Sequence, residues 1–545
     1  SFRLLTGPPR ESFEDALQWV ALASEIPSLR CIEAYQAAID LLPRFIWLGA
    51  TTNQRYQDLS TAENLAVNAA SVAILNSNPT LALEWVEHAR CVVWNQSLML
   101  RSPLDQLHSS HPELAVRLEA VAKQLYDAGS ESSASRMPTS SSVDPEQVGQ
   151  QRRRLAMQYN DLLVQARKLP GFEDFLQPMK ADALVHAAQH GPIVVINCHK
   201  GHCDALLILP GNGAIRHLPL PNFSQEKAQK ARSELETSLR RKGLRQRGVK
   251  EWLPSGYKDR ISTVLLALWE DIVKPVLDFL GLKNETSIDS LTHITWCPTG
   301  ALSFLPLHAA GDYDQPQSRV FNYAISSYTP TLTALLASTP SSFNRAPRVL
   351  AIGQANTPGR NPLPGTISEL EFMQAHTSNK IEYSQLVDNQ ATTVAVLDAM
   401  EQHDWVHLAC HAHQNVEDPV KSGFFLHDGI LDLASINRRS FRNKGLAFLS
   451  ACETATGDEK LPDEAIHLAS GMLMAGYSSV VATMWAIKDE DAPFVADKVY
   501  ERLMKDGKVG NGEAGKALHY AAAALRDKIG EKEFGRWVPY IHIGS

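Results

Sequence analysis

The sequence lacks the features of a membrane or secreted protein. It contains no run of about 18 uninterrupted apolar residues, the length that a membrane-spanning helix needs. Its N-terminus, SFRLLTGPPRESFEDAL, has no positively charged stretch followed by an apolar one, as a signal peptide would. The first residue is not Met, which is compatible with a piece of a longer protein. We expect no membrane association.

Cysteine and net positive charge are also scarce. The 545 residues include seven cysteines, an odd number at scattered positions, so reduced thiols and a cytoplasmic location fit better than a disulfide framework. The chain has 52 Lys and Arg against 60 Asp and Glu, which gives a net charge of −8. Because general nucleic-acid binders are usually basic, we expect no nucleic-acid partner.

The first 128 residues are predicted to be helical. Apolar residues recur there at three- and four-residue spacing, and Pro or Asn-Pro interrupts the runs. Two segments, CIEAYQAAIDLLP and ALEWVEHARCVVW, resemble the second helix of a tetratricopeptide (TPR) repeat in the spacing of their small and aromatic residues. They begin at Cys31 and Ala82, farther apart than the usual period of about 34 residues, so the repeats are degenerate. An ordinary helical bundle is the alternative.

The next two segments differ in composition. Residues 129–144 are rich in Ser and are predicted to be a flexible linker. A helix is predicted from Pro145 to Lys168, with Asp144 as its N-cap, within a region of connecting helices at 145–190.

From residue 191 onward, short apolar strands alternate with helices. The strand candidates are IVVINC, ALLILP, AIRHLPL, HITWCP, RVLAIG, WVHLAC, GLAFLSAC and SSVVATMW. This alternation predicts an α/β domain with a mostly parallel sheet flanked by helices. Ligands of such sheets bind at the carboxyl ends of the strands.

Two strand ends carry reactive side chains. WVHLAC runs into His411, and GLAFLSAC runs into Cys452, 41 residues further on (452 − 411). A thiol is mostly protonated at neutral pH, and a neighbouring imidazole can take its proton to give a strong nucleophile. The small residues Ala412 and Ser450 leave room for a substrate backbone. The backbone N–H groups of Ala412 and Cys452 are the predicted oxyanion donors.

Five motifs in order resemble the CHAT domain, a caspase-like domain that is often fused to TPR repeats and is related to caspases and separase. They are HLACHA, LSACETATGDE, HLASGMLMAG, SSVVATMWAIKDED and the terminal YIHIG. The resemblance implies a caspase-like fold with an inactive-looking first half (191–344) and a catalytic second half (345–545). It assigns the dyad to His411 and Cys452. The sequence departs from the family at Ala412, where caspase-like enzymes usually have Gly.

The resemblance also implies a specificity pocket that involves Trp485, Asp489 and Asp491. Asp489 corresponds to an acid in the similar separase pattern, and separase prefers a basic residue before the cleaved bond. Either acid could pair with a substrate Arg. The alternative is that both acids cap the helix that follows. Asp458 and Glu459 form a second acidic candidate.

Several other residues are weaker candidates. CHKGHC (198–203) has four metal-ligand side chains, but they are too crowded for usual structural zinc spacing, and a hairpin turn explains them better. We expect His407 to be structural and Cys410 to be a small buried hydrophobe. An exchange of roles between His411 and His413 is a minor alternative.

The sequence therefore predicts a cysteine endopeptidase that acts on protein substrates without a cofactor or metal. The N-terminal helices are predicted to bind a regulatory protein. The alternative is an inactive or latent TPR–CHAT scaffold that acts through protein–protein interaction, which Ala412 and the helical region would favour.

Overall fold

The computed structural model of the chain describes residues 7–544 except 27–29, 103, 131–144, 212, 245–258, 286, 338–346, 379, 416–420, 440, 442–443, 452–453, 455–462, 465–466 and 507–512. The chain forms two compact units, Ser1–Ala181 and Asp182–Ser545. Most of the predicted Ser-rich linker and Asp144 lie outside the described residues. The bounds of the five predicted segments stay predictions.

The first unit is helical wherever it has regular structure among its described residues. Apolar residues at helical spacing become its core: the rings of Phe13 and Phe45 stack with centroids 4.4 Å apart, and Leu118 and Tyr159 are almost fully buried. Its helices are α1 (Pro9–Glu25), α2 (Cys31–Phe45), α3 (Thr52–Leu59), α4 (Leu65–Leu75), α5 (Pro79–Ala89), α6 (Val92–Met99), α7 (Asp105–Ser110), α8 (Pro112–Ser130) and α9 (Pro145–Arg167).

One helix prediction in this unit was wrong. The segment ALEWVEHARCVVW was predicted to lie within a single helix, but α5 ends at Ala89 and α6 begins at Val92. Between them Cys91 has φ of 50°, in the left-handed region, which breaks the helical path. Cys91 is 1% exposed, so tertiary packing overrides the continuous helical pattern of the sequence.

The second unit alternates strands and helices. Its helices, from Ala181 onward, are α10 (Ala181–Leu184), α11 (Gln225–Arg241), α12 (Ile261–Leu268), α13 (Lys274–Phe279), α14 (Leu332–Ala337), α15 (Gly365–Thr377), α16 (Thr393–Gln402), α17 (Leu433–Arg438), α18 (Leu468–Ala475), α19 (Ala492–Asp506), α20 (Glu513–Ile529) and α21 (Phe534–Trp537). A π-helical turn, Trp269–Val273, joins α12 to α13. No helix within the described ranges is both long enough and apolar enough to span a membrane.

Eleven strands of this unit form one sheet in the order β3-β2-β1-β4-β5-β14-β13-β12-β8-β6-β7, and three form a small sheet, β11-β10-β9. The strands are β1 (Ile193–Cys198), β2 (Cys203–Ile208), β3 (Ile215–Leu220), β4 (Thr292–Pro298), β5 (Ala324–Tyr328), β6 (Val349–Gly353), β7 (Tyr383–Val387), β8 (Trp405–Ala409), β9 (Ala412–His413), β10 (Gly423–Phe425), β11 (Ile430–Asp432), β12 (Lys444–Ser450), β13 (Tyr477–Thr483) and β14 (Tyr540–Gly544).

The burial of the strands follows their sequence pattern. Every residue of the inner strands β1, β8, β12 and β13 is buried, as expected for apolar runs covered on both faces. The edge strands β3 and β7 are largely half-buried or exposed. The last strand, β14, pairs with β13 and with β5, and so joins the strands of the two predicted halves into one sheet. The predicted fold class is confirmed.

Candidate active site

Two neighbouring strands lead into the predicted dyad. β8 pairs with β12 in parallel, and Ala409 lies opposite Ser450 at the end of the pairing. His411 comes two residues after Ala409, and in the sequence Cys452 comes two residues after Ser450. Cys452 itself lies outside the described residues. The strands that precede His411 and Cys452 therefore end side by side at one edge of the sheet.

The imidazole of His411 is half-buried and is held by a backbone carbonyl. Its Nε2 lies 2.8 Å from the carbonyl oxygen of Asn361. Because a carbonyl oxygen only accepts hydrogen bonds, Nε2 carries the proton and donates it. In the neutral ring the basic lone pair is then on Nδ1. The main chain of His411 is also fixed, since its carbonyl oxygen accepts the N–H of Phe425 at 2.8 Å.

The loop between β6 and α15 presents Asn361 to the histidine. At its start, the backbone N–H of Gln354 donates to the carbonyl oxygen of Ala409 at 2.9 Å, which ties the loop to the end of β8. The guanidinium of Arg360 lies 3.9 Å from the ring centroid of Phe425. Sequence reasoning missed Asn361, because its contribution is a backbone oxygen that every residue type carries.

The two small residues near the dyad differ in their surroundings. Ala412 is half-buried on β9, opposite Phe424 of β10. Ser450 is 1% exposed at the end of β12. The methyl group of Ala412 therefore lies on the small sheet beside His411, and Ser450 is packed into the end of the large one.

Thr483, at the end of β13, holds the chain around the predicted nucleophile. Its Oγ1 donates to the carbonyl oxygen of Ala451 at 2.7 Å, and its backbone N–H donates to Oγ1 of Thr454 at 2.8 Å. The carbonyl oxygen of Thr454 accepts the N–H of Ala469 at 2.9 Å. Sequence reasoning missed Thr454 and Thr483. The available signal was a hydroxyl residue at the end of an apolar strand in VVAT.

The three residues of the predicted specificity pocket each contact a different partner. The indole N–H of Trp485 donates to the carbonyl oxygen of Gly535 at 3.0 Å, and the side chain is 4% exposed. Asp489 is half-buried and accepts the N–H of Gly365, the first residue of α15, at 2.7 Å.

Asp491 is 1% exposed, and its Oδ2 accepts from Nε of Arg536 at 2.7 Å. This hydrogen bond raises the pKa of the Arg536 guanidinium above its usual value. Glu490 also accepts from Arg536, at 2.8 Å. The side chain of Asp489 thus caps α15, which begins 124 residues earlier in the sequence. The second acidic candidate, Asp458 and Glu459, lies outside the described residues.

The neighbouring histidines have other surroundings. His407 is fully buried, and its Nε2 lies 3.0 Å from a carboxylate oxygen of Glu369, so it is structural as predicted. Cys410 is fully buried, also as predicted. His413 is exposed on β9, with its ring 6.3 Å from that of Phe425.

The CHKGHC segment forms a hairpin, as predicted. Cys198 and Cys203 are antiparallel partners of β1 and β2, so residues 199–202 make the connection. Both thiols are buried. Among the described residues, no group of three or more His, Cys, Asp or Glu side chains is arranged to hold a metal ion.

Residues 263–545 match the family described as CHAT domain. No curated protein matches the chain. Similar solved structures include the complex of RgpB pro- and mature domains from Porphyromonas gingivalis, at 14% identity and a TM-score of 0.36, which covers 58% of this chain and 77% of that one. Another is the separase–securin complex from Saccharomyces cerevisiae, at 10% identity and a TM-score of 0.41, which covers all of this chain and 48% of that one. The chain thus spans about half the length of that separase chain.

Proposed function

Because the chain belongs to the CHAT-domain family, we propose that it is a cysteine endopeptidase whose nucleophile is Cys452 and whose base is His411. The observation that carries this proposal is the parallel pairing of β8 with β12, which end side by side two residues before His411 and Cys452. The Asn361 carbonyl supports it as well, because it leaves Nδ1 of His411 as the basic nitrogen.

The reaction follows from these assignments. Nδ1 of His411 takes the proton of the Cys452 thiol, and the thiolate adds to the scissile carbonyl carbon. Backbone N–H groups of Cys452 and Ala412 stabilise the negative oxygen of the tetrahedral intermediate. The imidazolium then gives its proton to the leaving amine, and a thioester remains. Water, deprotonated by His411, hydrolyses the thioester and restores the enzyme. No step needs a cofactor.

We further propose that the enzyme prefers a basic residue before the cleaved bond and that Asp489 binds the side chain of this residue. In this proposal Asp491, Trp485 and Ser450 line the substrate site. Asp491 is almost fully buried beside Arg536, so a substrate guanidinium would have to displace that partner. Asp489 is half-buried whereas Asp491 is 1% exposed, which makes Asp489 the preferred candidate for binding a substrate guanidinium.

The first unit is proposed to be a TPR-like module that binds a regulatory protein. Its support is the series of packed helices with small buried residues, Ala34 and Ala38 on α2 and Ala82 on α5. A cytoplasmic location is proposed from the cysteines, since the six described ones form no disulfide with one another.

A peptide library cleaved by wild type and by Cys452→Ala, and read by mass spectrometry, tests the proposal. We expect cuts after Arg or Lys that disappear in the variant. Cuts after other residues that also depend on Cys452 would retain the peptidase and contradict the basic preference. Cuts that persist in Cys452→Ala would contradict the assigned nucleophile. If the chain cleaves no peptide, either alone or together with proteins that bind its first unit, the result would favour the scaffold alternative.

A further inference from the structure

Thr483 contacts the chain on both sides of Cys452. Ala451, whose carbonyl oxygen accepts from Oγ1 of Thr483, immediately precedes Cys452, and Thr454, whose Oγ1 accepts from the Thr483 N–H, follows it by two residues. Ala451 and Thr454 are 0% exposed and Thr483 is 1% exposed. Hydrogen bonds in such a buried site have well-defined geometry, because water cannot replace either partner.

The hydrogen bond to Ala451 has a consequence for the neighbouring amide. The carbonyl of Ala451 and the N–H of Cys452 belong to one peptide group, which is planar and trans, so the two bonds point in opposite directions. In the sheet, β12 lies between β13 and β8. Thr483, at the end of β13, therefore holds this peptide group by its carbonyl oxygen, on the side opposite to the N–H. Hydrogen bonding to the carbonyl also polarises the amide and strengthens its N–H as a donor.

We propose that Thr483 is a positioning residue that directs the backbone N–H of Cys452 at the substrate oxyanion. The inference rests on the proposed function, because an oxyanion forms only if the Cys452 thiolate adds to a carbonyl carbon. In that step the S–C bond forms, and the π electrons of the carbonyl move to its oxygen. Thr483 does not touch the substrate, and it acts through the peptide group that it holds.

The test compares Thr483→Val, which keeps the shape and removes the hydroxyl, with Thr483→Ser, which keeps the hydroxyl. A matched control is Thr377→Val on α15. The Thr377 side chain is also fully buried and donates to a backbone carbonyl, that of Met373, at 2.7 Å. We expect Thr483→Val to lower kcat for peptide cleavage about tenfold to a hundredfold, with KM nearly unchanged, since removing an oxyanion donor outright costs more. Thr483→Ser and Thr377→Val should stay close to wild type.

A second readout separates the oxyanion donor from the thiolate. Iodoacetamide alkylates a thiolate by displacing iodide, and no oxyanion forms on the way. The rate of Cys452 alkylation in Thr483→Val should therefore match wild type, although cleavage is slow. Equal losses of alkylation and cleavage would overturn the inference, because Thr483 would then position the thiol or the fold. Unchanged cleavage in Thr483→Val would overturn it too and leave the peptidase standing. A wild type that is alkylated but cleaves nothing would remove the proposed function, and the inference with it.

Discussion

The carboxylate of Asp489 is proposed to have two functions, which are to cap helix α15 and to bind a basic side chain of the substrate. Substitutions of Asp489 can separate them. In the structure its Oδ2 accepts the N–H of Gly365, the first residue of α15, at 2.7 Å. Asp489→Ala removes this acceptor and the negative charge at a helix N-terminus, at a cost of about 1–2 kcal/mol in the free energy of unfolding. Asp489→Asn retains an acceptor oxygen of the same reach and loses only the charge, at a cost of about 0.5 kcal/mol.

In substrate selectivity, unlike in stability, the two variants should be affected alike. If Asp489 also reads a substrate guanidinium, its charge is needed, and both variants should lose at least about tenfold in cleavage after basic residues, equivalent to about 1.4 kcal/mol or more. Urea unfolding followed by tryptophan fluorescence gives the stabilities, and cleavage of matched Arg and Leu peptides gives the selectivity.

Each half of this prediction can fail separately. Equal stability of Asp489→Ala and wild type would refute the capping argument. An Asp489→Asn variant that still prefers Arg over Leu as strongly as wild type would refute the specificity argument and leave the cap intact.

Three further variants test the packing and electrostatics around the site by urea unfolding. Glu369→Ala removes the partner of the fully buried His407 and should cost about 1–3 kcal/mol at neutral pH, so an unchanged midpoint would contradict the assigned contact. Burial lowers the pKa of His467 to about 4, so its stabilising contribution is complete above its usual pKa of about 6.5 and is lost as pH falls from there to about 4. His467→Asn, which can still cap α18, should therefore make stability fall less steeply over that range, and an unchanged slope would contradict this. Arg536→Ala leaves the buried carboxylate of Asp491 without this cation and should cost about 3–5 kcal/mol, and adding Asp491→Asn should restore part of the loss.

Much of the second unit could be predicted from its sequence, because its inner strands are apolar runs, as burial on both faces of a sheet requires. IVVINC, WVHLAC and GLAFLSAC become β1, β8 and β12, which are buried on both faces and therefore carry little polar patterning. The polar side chains that follow such runs mark strand ends, and His411 was predicted as a catalytic residue partly on this basis. The family match over residues 263–545 confirms the resemblance that these motifs suggested.

The parts that could not be predicted depend on long-range partners. The hydrogen bond from His411 to Asn361 spans 50 residues and ends on a backbone oxygen, which leaves no trace in residue type. For Asp489 the sequence offered a substrate Arg or the next helix as partners, and its contact with the first residue of α15, 124 residues earlier, was not predicted. The left-handed residue between α5 and α6 is Cys91 and not Gly, the residue type that would have indicated a break. The helical pattern of the sequence therefore continues through a break that packing imposes.

The central claim is that His411 activates the thiol of Cys452. Its most direct test is the rate of Cys452 alkylation by iodoacetamide between about pH 5 and 10, in wild type and in His411→Ala, read from the peptide that contains Cys452. We predict that wild-type Cys452 reacts as a thiolate well below the ordinary thiol pKa of about 8.5, and that His411→Ala returns the profile to that value. Superimposable profiles for the two proteins would contradict the account.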